Sequence, residues 1–195
     1  FSLINHMLCV SLASLRFVSR LVSSTGLLQE SLYMNNSEGR ARKIEAFGNA
    51  YAELVAGIAE FPREMWGYRA DFDPWTIQEI ILHIADSEAN SFIRCRRLVA
   101  EPGSIVMGYN EEVWARELKY SEQSADDAVQ LFKWLRGNTY KLIKTLPEST
   151  WAHTVDHSEN GIMTMDDWLD IYTAHVPDHI AQMRRIYEDW QQKKL

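Results

Sequence analysis

Apolar residues recur at helical spacing along most of the chain. Between Lys43 and Phe61, the residues Ile44, Phe47, Tyr51, Leu54, Val55 and Ile58 return three and four positions apart. This predicts a helix with one buried stripe, ended by Pro62. A second helix is predicted to open at Thr76-Ile77-Gln78-Glu79, a capping box in which the Thr76 hydroxyl accepts from the third helical amide and Glu79 reaches back. Its stripe is Ile77, Ile80, Ile84 and Leu98, and it runs to about Val99, before Pro102-Gly103. A short helical piece follows around Glu111–Leu118. A third long helix starts near Ser124, with Asp127 at its third position, and continues through Val129, Phe132, Leu135, Tyr140 and Leu142 to Leu146, where Pro147 closes it. A fourth opens with a second capping box, Thr164-Met165-Asp166-Asp167, and runs to about Gln191. No stretch alternates with period two for long enough to predict a strand, and no internal repeat is present.

Helices of about 20 residues are each about 30 Å long. Joined by connections too long for tight hairpins, four of them predict an all-α four-helix bundle with room for a site between facing helices. The first 29 residues, Phe1 to Gln29, are different: they hold no acid, two arginines (Arg16, Arg20) and six serines. The arginines interrupt any apolar run, which argues against a signal peptide and a membrane span, whereas an Arg/Ser-rich, acid-free stretch is similar to an organelle transit segment. The expectation is an extension, residues 1–33, outside the domain, with translation beginning at Met34 and the bundle occupying 34–195.

Composition narrows the function classes. The chain is 46% hydrophobic and 24% charged, ordinary globular usage. A net charge of −7 without a dense basic block disfavours nucleic-acid binding. Two cysteines, Cys9 and Cys95, make no disulfide framework, so a reducing, cytoplasmic setting is expected. Cys95 falls inside the apolar stripe of the second helix and reads as a packed thiol.

The informative chemistry lies in the fourth helix. Its inward stripe runs Trp168, Ile171, Tyr172, His175, His179, Met183, Ile186 and Trp190. Two imidazoles one turn apart on such a face are costly to bury unless their nitrogens are satisfied, and i, i+4 spacing aims both at one point, as in metal-binding helices. The bland alternative is two core histidines with separate polar partners. A third ligand would come from His83 in the second helix, or from His153 or His157 in the connection before the fourth; His6 lies in the extension. Spacing leaves this choice open. His83 lies at the edge of its helix's stripe beside Glu79, Ser87, Asn90 and Arg94, a polar row that could line a cavity or face solvent.

The segment Trp75-Thr76-Ile77-Gln78-Glu79-Ile80-Ile81-Leu82-His83-Ile84-Ala85-Asp86-Ser87-Glu88 resembles the second-helix signature of the DinB/YfiT-like superfamily. His157-Ser158-Glu159-Asn160-Gly161-Ile162-Met163-Thr164, followed by Trp168-Leu169, Tyr172, His175 and His179-Ile180-Ala181-Gln182-Met183, resembles its closing segment. The resemblance implies an up-down-down-up four-helix bundle in which His83, His175 and His179 hold a divalent metal, zinc or nickel. It also implies a metal-dependent hydrolase or a thiol-dependent S-transferase acting with a low-molecular-weight thiol, and a homodimer. Two departures stand out: Asp178 occupies a position where relatives commonly carry a second His, and Pro177 lies inside the fourth helix, where it removes one hydrogen bond and can kink the helix between the two ligands.

Three neutral imidazoles leave an open position on the metal, the arrangement of a catalytic site, where a water or a thiol becomes more acidic. A small-molecule substrate is therefore expected; Tyr172, one turn before His175, reads as an aromatic core residue or as a hydrogen-bond donor to that substrate. Asp86, Glu79 and Asp178 are candidates to orient the imidazoles, Glu79 being engaged by its capping box and Asp178 lying toward the rim. His153 and His157 read as exposed loop histidines in the connection to the fourth helix, placed where they could line the mouth. The competing class is a non-catalytic metal-binding or structural bundle.

Overall fold

Three of the four long helices begin where cap chemistry places them. The computed structural model describes residues 38–194, so the expected extension 1–33, with His6, Cys9 and the Met34 start, lies outside the described residues. The bundle is the unit Arg42–Leu195. Residues 38–58 form α1, which is already helical before the expected start at Lys43 and ends three residues before Phe61. Helix α2 spans Ile77–Ala100 behind the Thr76–Glu79 capping box, both halves of which are formed. Helix α3, Glu111–Glu117, is capped by Asn110. Helix α4, Ala125–Ile143, is capped by the Ser124 hydroxyl, which accepts from the Asp127 amide. Helix α5, Met165–Lys193, opens with the complete Thr164–Asp167 box. Removing that cap by Thr164→Ala is expected to lower stability by about 1 kcal/mol, read as a lower denaturant midpoint with an unchanged m-value.

Two apolar clusters reveal the topology. One contains Leu54 and Ile58 of α1, Ile77 and Ile81 of α2, Ala128 and Phe132 of α4, and Ile180 and Ile186 of α5. The other contains Phe47 of α1, Cys95 and Leu98 of α2, Ile143 of α4, and Trp168 and Leu169 of α5. The chain therefore enters the first cluster at the end of α1, leaves it along α2, starts from it again in α4 and returns to it in α5. That is the up-down-down-up order. Its consequence is that α2 and α4 run parallel, so the segment joining them must cross the length of the bundle; it does so through α3. Gly57 allows α1 to pack closely on α5: a Cβ there would lie 2.7 Å from the Ile180 side chain.

Between the clusters lies a buried polar layer. Arg136 of α4 and Glu88 of α2 form an ion pair of 2.6 Å, each side chain 1% exposed. The same guanidinium donates to the Tyr172 carbonyl of α5 at 3.1 Å and lies 3.9 Å over the Phe47 ring of α1. One side chain thus touches all four bundle helices.

The expectation that no strand would form is corrected by a small three-stranded sheet. Strand β1 (Ile105–Val106) pairs parallel with β2 (Thr154–His157), which pairs antiparallel with β3 (Gly161–Thr164). Strands of two and four residues are too short to show a period. Val106, Val155 and Met163 join the second apolar cluster, and the hairpin turn uses Gly161 at φ 70°, a conformation that side-chain-bearing residues rarely adopt. The sheet fastens the long α2–α3 connection to the α4–α5 connection and brings His157 to the side of the bundle.

Candidate metal centre

His83, His175 and His179 converge. Their nearest ring nitrogens all lie within 4.8 Å of one another. His175 Nε2 is 3.3 Å from His83 Nε2 and 3.2 Å from His179 Nε2. Pro177 does not spoil this: α5 is continuous from Met165 to Lys193 and keeps its two histidines on one face. His83 is 1% exposed and packs against the Trp75 ring at 4.6 Å between centroids.

The protonation of the trio follows from its neighbours. Burial is the largest influence on each ring and lowers all three, His83 to about 3 and His175 well below the ordinary value. All three are neutral at pH 7, the form that binds metals. His179 Nδ1 lies 2.8 Å from Gln182 Oε1, while Gln182 Nε2 donates to both Asp73 carboxylate oxygens at 3.1 and 2.9 Å. The carboxylate can only accept, so the amide orientation is settled, His179 carries its proton on Nδ1, and its Nε2 presents a lone pair inward.

Three converging Nε2 atoms cannot satisfy each other, since a single shared proton serves one pair well and leaves the third nitrogen facing a lone pair. A cation among them satisfies all three. The spacing suits one: imidazole–zinc distances of about 2.0–2.1 Å with tetrahedral angles require nitrogens about 3.3 to 3.4 Å apart. The donor set and its spacing therefore fit a divalent ion. His83 Nδ1 is buried without a hydrogen-bond partner, so on that side the ring is held by packing.

Beside His175 opens a cavity of about 170 Å³, lined also by Ser87, Arg94, Tyr109, His157 and Tyr172, with Glu111 and Glu159 at its exposed rim. The polar row on α2 thus has two fates: Ser87 and Arg94 line this cavity, and Glu79 is buried. Arg94 donates to the Tyr172 hydroxyl at 2.7 Å and to the Met107 carbonyl at 2.8 Å. Burial, then the neighbouring Glu159, raises the Glu111 carboxyl, and burial raises the Tyr109 and Tyr172 hydroxyls, so both tyrosines are neutral.

Of the other residues singled out in the sequence, Asp86 accepts from the Tyr120 hydroxyl and is committed away from the histidines. Glu79 is held by its capping box and by Arg69. Asp178 is exposed and does not line the cavity beside His175. His153 places Nδ1 2.9 Å from the Leu98 carbonyl, outside the cluster. Cys95 is fully buried, its thiol pushed up to about 12 by burial. The orienting pair Gln182 and Asp73 was not anticipated. Gln182 was within reach, three residues after His179 and hence on the same helical face; Asp73, 109 positions away, carries no sequence signal. Gln182→Leu is expected to weaken divalent-metal affinity by about 10- to 100-fold while leaving the fold intact, measured by competition with a chromophoric chelator.

Comparison with known proteins identifies the family and the fold. The family model for the DinB superfamily matches residues 46–183. YfiT of Bacillus subtilis, named as a candidate metal-dependent hydrolase, is 29% identical over 114 residues, covering 57% of this chain and 64% of YfiT. A protein of Oceanobacillus iheyensis with the same description is 26% identical over 118 residues, 60% of this chain and 68% of its own length. The chain thus spans about two thirds of these curated relatives. The solved structure of YfiT, described as having an unusual four-helix bundle topology, superposes with a TM-score of 0.73 at 21% identity, over 79% of this chain and 89% of YfiT, a likeness that shows the shared fold.

Proposed function

This chain belongs to the DinB superfamily, and on that premise we propose that it is a metal-dependent hydrolase of a small-molecule substrate, with His83, His175 and His179 holding a zinc or nickel ion. The observation that carries the reading is the convergence of three neutral Nε2 atoms, 3.2 and 3.3 Å apart, next to an open cavity. A divalent ion held there supplies Lewis acidity, polarising a scissile carbonyl or ester oxygen and making water a better nucleophile near neutral pH.

The chain's own residues do the rest. Asp73 fixes Gln182, which fixes the His179 proton on Nδ1 and turns its lone pair inward. Trp75 covers His83 and keeps water off that flank. Tyr172 receives a hydrogen bond from Arg94, so its own proton is free to be donated to a substrate in the cavity. The α2–α5 contact sets the separation of His83 from His175, because the two rings stand on different helices.

The test is metal analysis of protein purified without an affinity tag, followed by a screen of ester, amide and electrophilic substrates with and without low-molecular-weight thiols. One equivalent of zinc or nickel with turnover in the absence of thiol supports the hydrolase. Turnover that requires the thiol replaces it with an S-transferase, and no turnover with metal bound leaves a binding module.

A further inference from the structure

The cavity beside His175 holds proton donors that have no acceptor. His157 is 4% exposed, and its Nδ1 accepts the backbone amides of Glu159 and Asn160 at 3.3 and 3.4 Å. The ring's proton must therefore sit on Nε2, which has no hydrogen-bond partner among the described residues. The Tyr172 oxygen is occupied by Arg94, so its hydroxyl proton is likewise unmatched. The Tyr109 hydroxyl is buried with no hydrogen bond of normal geometry, although Ser87 lies alongside it. Arg94 adds a positive charge to the same 170 Å³ space. A buried donor without an acceptor costs about 1–3 kcal/mol; the Tyr109 hydroxyl is one, and with the His157 Nε2–H and the Tyr172 hydroxyl lining the same cavity it outlines a missing acceptor.

We propose that this cavity is a subsite for a monoanionic carboxylate of the substrate, bound by the His157 Nε2–H, the Tyr172 and Tyr109 hydroxyls and the charge of Arg94. Glu111 and Glu159 also line the cavity with Arg94 and repel any anion, a dianion about twice as strongly as a monoanion, so the subsite favours a single negative charge. The subsite makes the substrate a small carboxylic acid derivative whose reacting bond lies toward His175. It rests on the hydrolase reading for what is done to the bound molecule, not for the binding.

Binding can be measured without turnover. The full-length protein, metal-free and zinc-loaded, is titrated at pH 7.5 with propionate, with its neutral isostere propionamide and with propylammonium, following the His157 ring resonances by 1H–15N NMR. Propionate is expected to shift the His157 Nε2–H in both forms and to bind at least about tenfold more tightly than propionamide, a charge-assisted margin. Arg94→Gln and His157→Leu are each expected to weaken propionate about tenfold, whereas His157→Gln, which can still accept the amides and donate inward, retains most of the affinity. Should a leucine variant fail to fold, the glutamine and Arg94 variants carry the test. Equal affinity for propionate and propionamide, preference for propylammonium, or a response confined to the zinc-loaded protein overturns the proposal. If zinc fails to bind while propionate binds the metal-free protein, the hydrolase reading falls and the subsite stands.

Discussion

Replacing His175 by alanine is expected to abolish stoichiometric binding of zinc or nickel. His175 is the central member of the trio, its Nε2 3.3 Å from that of His83 and 3.2 Å from that of His179. Without it the remaining pair spans α2 and α5 with no bridging donor. Loss of outer partners costs such sites about 10- to 100-fold in affinity, and loss of a ligand should exceed that range. In a thermal melt at metal concentrations of about 100 times Kd, the native protein gains about 2.7 kcal/mol from binding, and the variant should gain none. Acid adds a second signature. Each histidine's folded pKa lies below its unfolded value of 6.5, so its contribution to stability is present above 6.5 and is lost as pH falls toward the folded value, about 3 for His83. Metal-free His175→Ala should therefore lose less stability between pH 7 and 4 than the metal-free native protein. A variant that still carries one equivalent of metal at native affinity would remove His175 from the site.

Arg136→Met is expected to destabilise the fold by about 3 to 5 kcal/mol, because it strands the Glu88 carboxylate in a layer where it is 1% exposed. Burial raises the Glu88 carboxyl above its ordinary 4.5 even with Arg136 opposing it; without the arginine that rise can only grow. For an acid whose folded pKa is raised, the native state holds more protons than the unfolded one, so stability falls as pH rises through that window. The loss should accordingly be larger at pH 8 than at pH 5. Adding Glu88→Leu to Arg136→Met should recover most of the loss, since replacing both members of a buried pair is close to neutral. Urea denaturation of the two single variants and the double variant closes the cycle. If Arg136→Met alone unfolds at the native midpoint, the pair does not hold the layer together.

Much of the fold could be read along the chain because helix ends and stripes are local. Thr76, Ser124 and Thr164 cap the helices they were expected to cap, since a hydroxyl and an amide three residues away need no tertiary context. The arrangement of His175 and His179 was also legible, because i, i+4 spacing guarantees a shared face. His83 was not settled by spacing. Its helix is covered on nearly every side, so a residue at the edge of an apolar stripe becomes fully enclosed. Arg136 lies one turn after Phe132 on the apolar face of its helix, but its ion pair with Glu88 exists only once α2 is packed against α4.

The residues alone determined which segments are helical, where the three capped long helices begin, and that two imidazoles share one face of the last helix, because these depend on hydrogen bonds and periodicities within a few positions. Packing decided the rest: that α2 and α4 run parallel, that His83 completes the cluster, that Asp73 steadies Gln182 from 109 residues away, and that a four-residue strand brings His157 to the same cavity as Tyr172. Those juxtapositions are set by how the helices bury their faces against one another, a condition on the whole chain that no local stretch of it records.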